Sequence, residues 1–356
     1  MGRFRENYGA ARVVRQVRTR ARRSYLPRMT RDRTSSPHLS VGVPRQQASA
    51  LAPACIGNFG PGLDVLGVAV AGPGDRVTAT RTDDGRVTID APGHPSLPTD
   101  PTQNTAGIAA REVLQRAGID VGVRLSVTKG LPLSGGQGGS AASAVAAAVA
   151  VNRLIGEPLD VPTLLECAVE AEAVVSGRHA DNVAPQLLGG VVLVRSLDPI
   201  DVVQLATPAG LRIILAHPDQ SMRTAEARAV LPQFITRSVV IRQMGNVAAI
   251  VAALESDDLG LLGRAMDDQI AEPARAVLLP GFPEARAAAL DAGALGGSIS
   301  GAGPTSFWLA GDDVTARRVM DAVRDSYQGR GIGCSVRVTH IADVGALELP
   351  EDATVA

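Results

Sequence analysis

The spacing of apolar residues becomes regular near Ala48 and predicts a mixture of strands and helices from there on. Apolar residues at every second position predict a half-buried strand, and a spacing of three to four predicts an amphipathic helix. Two alternating segments, 76–81 and 86–90, flank Asp83-Asp84-Gly85, which predicts a β-hairpin. The other elements predicted for this half are a helix over 104–117 that ends at Gly118, a strand over 121–127, an Ala-rich helix over 140–155, a helix over 162–175 and a buried strand over 190–194.

The second half of the chain has the same kinds of pattern in a different order. Its predicted elements are a strand over 211–216, several helices between 224 and 292, a Gly- and Ser-rich strand-like segment over 296–309, a helix over 314–327 and a last strand over 334–340. Strands and helices do not alternate as in βαβ units, so we expect an α+β fold rather than a doubly wound sheet. Prolines and glycines over 196–210 suggest a boundary between two domains, 46–200 and 201–346, with a tail over 347–356.

Composition and cysteine usage exclude several classes of protein. Of 356 residues 45% are apolar and only 3% aromatic, so we expect a globular core built mainly from Ala, Val and Leu. The three cysteines lie far apart and the histidines lack ligand spacing, which argues against disulfides and structural zinc. The longest apolar stretch, 141–151, is too short to span a bilayer. A cytoplasmic protein without a membrane partner is therefore expected.

The charge is distributed unevenly along the chain. Residues 1–45 carry twelve arginines against Glu6 and Asp32, whereas the remainder is mildly acidic and offers no general surface for nucleic acid. Because 1–45 also lack an apolar face, we expect a disordered extension. An organelle transit peptide, a nucleic-acid-binding arm and an extension without function, with Met29 as the true start, remain alternatives.

A glycine-rich turn between a predicted strand and a predicted helix is the most informative local feature. It holds Gly135, Gly136, Gly138 and Gly139, whose backbone can approach a ligand closely, and the following helix offers unpaired N–H groups. Such a turn is typical of a phosphate cradle, although a plain flexible turn has the same composition. The chain's only lysine, Lys129, precedes the turn and so excludes a P-loop. A dinucleotide fingerprint fits poorly because the flanking strand does not open a βαβ unit, which leaves hydride transfer a distant alternative.

Three segments of the chain resemble motifs of the GHMP small-molecule kinases. Residues 53–64 resemble P-A-x-x-x-N-x-G-P-G-F-D, residues 132–142 resemble P-x-x-x-G-L-G-S-S-A-A, and residues 300–305 match S-G-A-G-P-T. Within that superfamily, three further segments resemble the homoserine kinases, namely 179–190, 224–232 and 272–282. The resemblance spans about residues 50–345. It implies an N-terminal domain like domain 2 of ribosomal protein S5 and a ferredoxin-like C-terminal domain, with the active site between them.

The activity implied by this resemblance is phosphorylation of the side-chain hydroxyl of L-homoserine by ATP with Mg²⁺, in threonine biosynthesis. The alternatives are a GHMP kinase for another small alcohol and a non-catalytic ligand-binding protein. Dimers are common in the family, so a homodimer is expected.

The resemblance also assigns residues to the nucleotide. Ser140 and a helical carboxylate, Glu172, would hold Mg²⁺, which prefers oxygen ligands, and Glu170 is an open alternative. Asn104 matches a position near the adenine, although it is equally a good helix N-cap. The residues expected at the nucleotide are Asn104, Pro132, Gly135, Gly136, Gln137, Gly138, Gly139, Ser140 and Ala141.

For the zwitterionic acceptor the resemblance assigns charged and amide side chains. Arg228 and Arg275 would bind the α-carboxylate, because a guanidinium offers two parallel donors. Asn58 and Asp64 would bind the ammonium group, and Asn182 would orient the reacting hydroxyl. Further contacts are expected at Thr224, Gly303 and Thr305, and His179 either contacts the substrate or caps its loop. No general base is evident, which phosphoryl transfer tolerates since it depends mainly on positioning and charge neutralisation.

The chain departs from the family motifs at three positions. Gln137 and Gly139 replace the leucine and first serine of the phosphate turn, and Leu63 replaces the phenylalanine before Asp64. Since Ser140 is retained, we expect the metal-binding hydroxyl to be in place but nucleotide affinity or phosphate-donor choice to differ.

Overall fold

The computed structural model describes residues 42–347, 349–350 and 352. The predicted disordered extension therefore lies almost entirely outside the described residues. Residues 42–45 are described. They lie beside the carboxyl end of the helix over 139–154, where Gly42 N donates to Gly156 O at 2.7 Å and Arg45 N donates to Leu154 O at 2.8 Å.

The first part of the described chain forms six strands and four helices. They are β1 (Gln47–Gly57), β2 (Leu66–Thr82), β3 (Val87–Ala91), α1 (Thr105–Ala117), β4 (Gly122–Thr128), α2 (Gly139–Leu154), α3 (Val161–Ser176), α4 (Val183–Leu188), β5 (Val191–Leu197) and β6 (Ile200–Leu205). Five of the strands are arranged in the order β3-β4-β2-β5-β6, and β1 pairs with β2.

The predicted hairpin between β2 and β3 is wrong. Both strands exist and turn at Asp83-Asp84-Gly85, but β4 lies between them, antiparallel to β2 and parallel to β3. The β4 residues Val123, Leu125 and Val127 are all buried, so this strand gains more from the centre of the sheet than from an edge. Local turn residues identified the reversal, but they carry no information about a strand that arrives thirty residues later.

Helix α2 forms the centre of the first core. It packs against β1 and β2 and is flanked by α1 and α3. Every residue from Ala141 to Val151 is buried. These small side chains let the helix lie close to the sheet, which explains how an Ala- and Val-rich sequence with few aromatics builds a core.

The second part forms a four-stranded antiparallel sheet with helices. Its elements are β7 (Arg212–Pro218), α5 (Thr224–Ala229), α6 (Arg237–Ser256), α7 (Leu259–Ala265), α8 (Ala271–Ala276), α9 (Phe282–Asp291), β8 (Gly296–Ile299), β9 (Ser306–Ala310), α10 (Asp313–Gln328) and β10 (Cys334–Thr339). The sheet order is β10-β7-β9-β8, and its aromatic core contains Phe282 stacked on Trp308 at 5.9 Å. Two mainly antiparallel sheets with helices confirm the predicted α+β fold.

The two sheets separate between Leu205 and Arg212. The predicted division at residue 200 falls at the start of β6, which pairs with β5 of the first sheet. The division into domains 46–200 and 201–346 stays a prediction, as does the tail, most of which the structure does not describe.

Candidate active site

The glycine-rich turn connects β4 to α2 through backbone that only glycine adopts easily. Gly136 and Gly138 have φ angles of 74° and 70°. A Cβ on Gly138 would lie 2.4 Å from Cys55 Sγ, and one on Gly136 would lie 2.6 Å from Ser300 O. Gly138 caps α2 without a side-chain acceptor, so no capping side chain takes up the N–H groups of the first turn. These groups and the positive end of the helix dipole suit an anion.

Ser140, in the first turn of α2, faces a buried carboxylate on α3. Its hydroxyl donates to Glu172 Oε1 at 2.7 Å, and the Ser176 hydroxyl donates to the same oxygen. Glu172 is only 2% exposed, and its other oxygen, Oε2, is buried without a partner. Glu170 points elsewhere and forms an ion pair with Arg178 at 3.1 Å. An orphaned carboxylate oxygen beside a hydroxyl fits a hard cation.

The described residues contain no cluster of three or more His, Cys, Asp or Glu side chains that would enclose a metal by themselves. This agrees with Mg²⁺ chemistry in phosphotransferases, where one or two protein oxygens suffice because substrate phosphates and water complete the coordination.

Asp64 and Arg228, both expected at the acceptor, are joined to each other. Arg228 Nη1 and Nη2 donate to the two Asp64 carboxylate oxygens at 3.1 Å and 2.9 Å. Asn58 holds this loop, since its Oδ1 accepts from Asp64 N and its Nδ2 donates to Gly301 O at 3.0 Å. The structure places these expected residues close together, and it adds the pairing of Asp64 with Arg228, which the sequence did not indicate.

Arg275 lies beside this pair and is 3% exposed. Its Nε donates to Ala227 O at 3.1 Å and its Nη1 donates to Gly301 O at 2.8 Å. Burial and the positive charge of Arg228 both lower the pKa of Arg275. A bound carboxylate would offset the repulsion between these two guanidinium groups.

His179 and Asn182 lie on the loop that precedes α4. Asn182 Oδ1 accepts from the Cys55 thiol at 3.0 Å, which fixes the orientation of the amide. His179 Nδ1 lies 3.2 Å from Asp181 Oδ1, although neither atom has a well-aligned hydrogen bond. Asp181, which sequence reasoning missed, also accepts from Asn58 N at 3.0 Å. The only sequence signal for Asp181 was its place between two expected site residues.

The segment 300–305 joins the two halves of the site. Ser300 Oγ donates to Gly136 O at 2.6 Å, and Gly301 N donates to Gly57 O at 3.0 Å. Thr305 accepts from Gln137 Nε2 at 3.3 Å and contacts His217 Nδ1 at 3.0 Å. Gln137, which replaces the family leucine, thus adds a polar contact between the phosphate turn and this segment.

The remaining expected residues have less direct positions. Asn104 caps α1, with its Oδ1 accepting from Ala106 N at 3.0 Å and its Nδ2 donating to Pro98 O at 2.9 Å. Thr224 begins α5, one turn before Arg228, and Gly303 has a φ of 88°. Pro132 lies against the start of the turn, where a Cβ on Gly135 would meet its Cγ at 2.6 Å, and Ala141 is buried in the core. Among the described residues, none of these five contacts the residues placed at the acceptor in a way that defines its role.

The pair of His179 and Asp181 predicts a pH-dependent stability. Burial opposes the charged imidazolium, but Asp181 and Glu172 outweigh it and raise the pKa of His179. A raised folded-state pKa stabilises the protein fully below the unfolded value, about 6.5, and this contribution is lost as pH rises through the folded value. We therefore expect the free energy of unfolding, measured with urea and without ligands, to fall above about pH 6.5.

His179→Gln should remove this decline. Burial lowers the pKa of His217, so this residue makes the free energy of unfolding fall as pH decreases below about 6.5. That decline should persist in His179→Gln and serves as an internal control. An unchanged slope above pH 6.5 in His179→Gln would show that another group titrates.

Comparisons with known proteins give a consistent result. The model described as "GHMP kinases N terminal domain" matches residues 104–190, and that described as "GHMP kinases C terminal" matches 250–329. A homoserine kinase of Chloroherpeton thalassium is 42% identical over 296 residues, which cover 80% of this chain and 93% of that protein. One of Halobacterium salinarum is 38% identical and covers 85% of this chain and 96% of that protein.

Solved structures extend these similarities. The crystal structure of homoserine kinase from Cytophaga hutchinsonii has 43% sequence identity and a TM-score of 0.82, covering 85% of this chain and 96% of that one. Mevalonate kinase from Methanococcus jannaschii is only 10% identical, with a TM-score of 0.61 over 82% of this chain and 98% of that one. The latter similarity concerns the fold alone.

Proposed function

The chain belongs to the homoserine kinases, a family within the GHMP kinases, and we propose that it transfers the γ-phosphoryl group of ATP to the side-chain hydroxyl of L-homoserine. The product, O-phospho-L-homoserine, is used in threonine biosynthesis. The observation that supports this function most directly is that one segment, 300–305, contacts both the glycine-rich turn and Arg275, one of the two arginines assigned to the α-carboxylate. Ser300 donates to Gly136 of the turn, and the next residue, Gly301, accepts from Arg275.

The nucleotide half of the proposed site is the turn with the start of α2. Backbone N–H groups over 136–140 would bind the ATP phosphates, and Ser140 with Glu172 would hold Mg²⁺. When bound, the ion neutralises charge on the phosphate oxygens. The orphaned Glu172 Oε2 supports this assignment of the chain's own residues.

The acceptor half is complementary to a zwitterion. Asp64 and Arg228, which pair with each other in the structure, would each turn to the opposite charge of homoserine, the carboxylate to ammonium and the guanidinium to carboxylate. Arg275 would add a second cation for the α-carboxylate. Exchanging one ion pair for two limits the cost of removing the ligand's charges from water.

The reacting hydroxyl would be oriented by Asn182, whose amide is held by Cys55. An amide does not abstract a proton, so the hydroxyl proton would pass to a phosphoryl oxygen or to water as the new O–P bond forms and ADP leaves. The chain contributes positioning and charge neutralisation here, as a loose phosphoryl-transfer transition state requires. Placing both substrates at fixed distance makes the transfer effectively intramolecular.

Coupled detection of ADP release across several alcohols tests the proposed function. We expect turnover with L-homoserine far above that with mevalonate, shikimate or galactose, because only homoserine carries both an α-carboxylate and an ammonium group for Arg228, Arg275 and Asp64. Equal or faster turnover with mevalonate would contradict the assignment.

We further propose that the protein acts as a cytoplasmic homodimer whose interface includes the first half of α6. In this part of the helix Ile241 and Met244 are 63% and 65% exposed, and Phe234 in the preceding loop is 92% exposed. Large apolar side chains grouped on an exposed surface are typical of an interaction site. A second copy is the simplest cover, since a two-fold axis pairs a patch with itself.

Light scattering after size exclusion tests the dimer. The wild-type chain should have twice the monomer mass, and Ile241→Glu should be monomeric because a charge would be buried at the axis. Val314→Glu, at an apolar residue of α10 that is 62% exposed, is the matched control and should remain dimeric. Helix α6 is also long and apolar enough to cross a bilayer, judged by length and composition alone. A wild-type chain that is monomeric and floats with phospholipid vesicles would therefore contradict the dimer and indicate that lipid covers this surface.

A further inference from the structure

Lys129 is the only lysine in a chain with 35 basic residues. Its side chain is 9% exposed, and its partner Asp75 is completely buried. Charged side chains are seldom buried to this degree unless they are paired, so the position selects strongly for the residue that occupies it. A protein that uses arginine everywhere else thus retains lysine at one buried position.

The Lys129 ammonium group has three partners inside the protein. It donates to the Asp75 carboxylate, to Gly139 O at 2.8 Å and to Ser143 Oγ at 3.1 Å. An ammonium group has three N–H donors, so this set uses all of them. No donor is left over for an external phosphate, which distinguishes this lysine from the lysine of a P-loop.

Asp75 connects the same cluster to the residues that enter the turn. Its Oδ1 accepts from Gly130 N at 3.1 Å and Leu131 N at 3.2 Å, and its Oδ2 accepts from Ser143 Oγ at 2.8 Å. The cluster therefore connects the residues that enter the phosphate turn to the first two turns of α2, which leaves it.

The cluster contacts the start of α2 at one carbonyl group. Gly139 O, which accepts from Lys129, belongs to the residue immediately before Ser140. A Cβ added to Gly139 would lie 3.4 Å from Lys129 Nζ, so the ammonium group lies directly against this residue. The compact ammonium group reaches this carbonyl, whereas the larger planar guanidinium of arginine does not fit the same three acceptors.

We propose that Lys129, held by Asp75 and Ser143, is a positioning residue for the phosphate turn. It fixes Gly139 O so that the N–H groups at the start of α2 and the Ser140 hydroxyl are directed at the nucleotide phosphates, without contacting these phosphates itself. The inference rests on the proposed function only in taking the turn as the nucleotide phosphate site.

Calorimetry with ADP and with adenosine tests the inference without any phosphoryl acceptor. We expect Lys129→Arg to weaken ADP binding by about tenfold or more, because a small misplacement of the turn is costly, and to leave adenosine binding within about twofold. Ser143→Ala should have the same selectivity with a smaller effect. The double variant Asp75→Asn/Lys129→Met avoids an unpaired buried charge and should match Lys129→Arg.

A control is Arg212→Met, which removes a much more exposed ion pair, that of Arg212 with Asp313, at the opposite end of β7 from His217. It should leave ADP affinity unchanged even if it lowers the melting temperature. Wild-type ADP affinity in Lys129→Arg would show that a positive charge suffices and would overturn the inference. So would equal losses of ADP and adenosine binding, which indicate general destabilisation. Homoserine turnover is measured separately, so failure of the proposed function would be recognised independently of these results.

Discussion

Replacing Glu172 by glutamine is expected to lower kcat with MgATP by about two to three orders of magnitude, the size of effect seen when a preorganised charge is removed from a transition state. The amide retains an oxygen for the Ser140 and Ser176 hydroxyls but loses the negative charge and the orphaned oxygen that would hold the metal. Homoserine binding without nucleotide should stay near that of the wild type. The measurement is steady-state kinetics over a range of Mg²⁺ concentrations.

Glu170→Gln is the matched control, because it makes the same chemical change two residues away on the same helix. Glu170 forms a partly exposed ion pair with Arg178, so its loss should change kcat less than about twofold. A wild-type kcat in Glu172→Gln, or a larger loss in Glu170→Gln, would place the metal elsewhere.

The local parts of the fold were the parts that could be predicted from the sequence. Helix α1 begins at its Asn104 cap and ends at Gly118 in the left-handed conformation, as the residue pattern indicates. The pairing of β2 with β4 was not predictable, because turn residues act within a few positions whereas strand order depends on which faces are buried together. Local signals therefore predicted individual helices and strands correctly, whereas the pairing of β2 with β3 was predicted wrongly because it depends on distant residues.

For the candidate site, too, local sequence signals were readable and contacts between distant residues were not. The glycine turn and Ser140 were visible because phosphate binding needs particular residue types in a continuous segment. Sequence reasoning assigned no role to Asp181 or Lys129, because their contacts with Asn58 and Asp75 join residues more than fifty positions apart in the sequence. Buried polar residues of this kind are recognised only when their partners are known.

Replacing Arg275 by lysine is expected to raise the KM for homoserine by about thirtyfold or more, and Arg228→Lys by about tenfold. Each change keeps a positive charge and loses the planar pair of donors. Arg275 is 3% exposed and uses two of its nitrogens to hold Ala227 O and Gly301 O, so a lysine cannot keep these bonds and also face a carboxylate. Arg228 is about a third exposed, and water moderates the loss there.

Both arginine variants should bind ADP like the wild-type chain, because the proposed nucleotide half-site lies on the turn and α2 and neither arginine contacts these residues. Steady-state kinetics with each substrate varied in turn, together with calorimetry of homoserine and of ADP, separates the two half-sites. Arg223→Lys, at the exposed cap of the helix that carries Arg228, makes the same chemical change outside the site and should leave both KM values unchanged. Wild-type homoserine kinetics in both Arg228→Lys and Arg275→Lys would mean that the α-carboxylate binds elsewhere, and the pairing of Asp64 with Arg228 would then be purely structural.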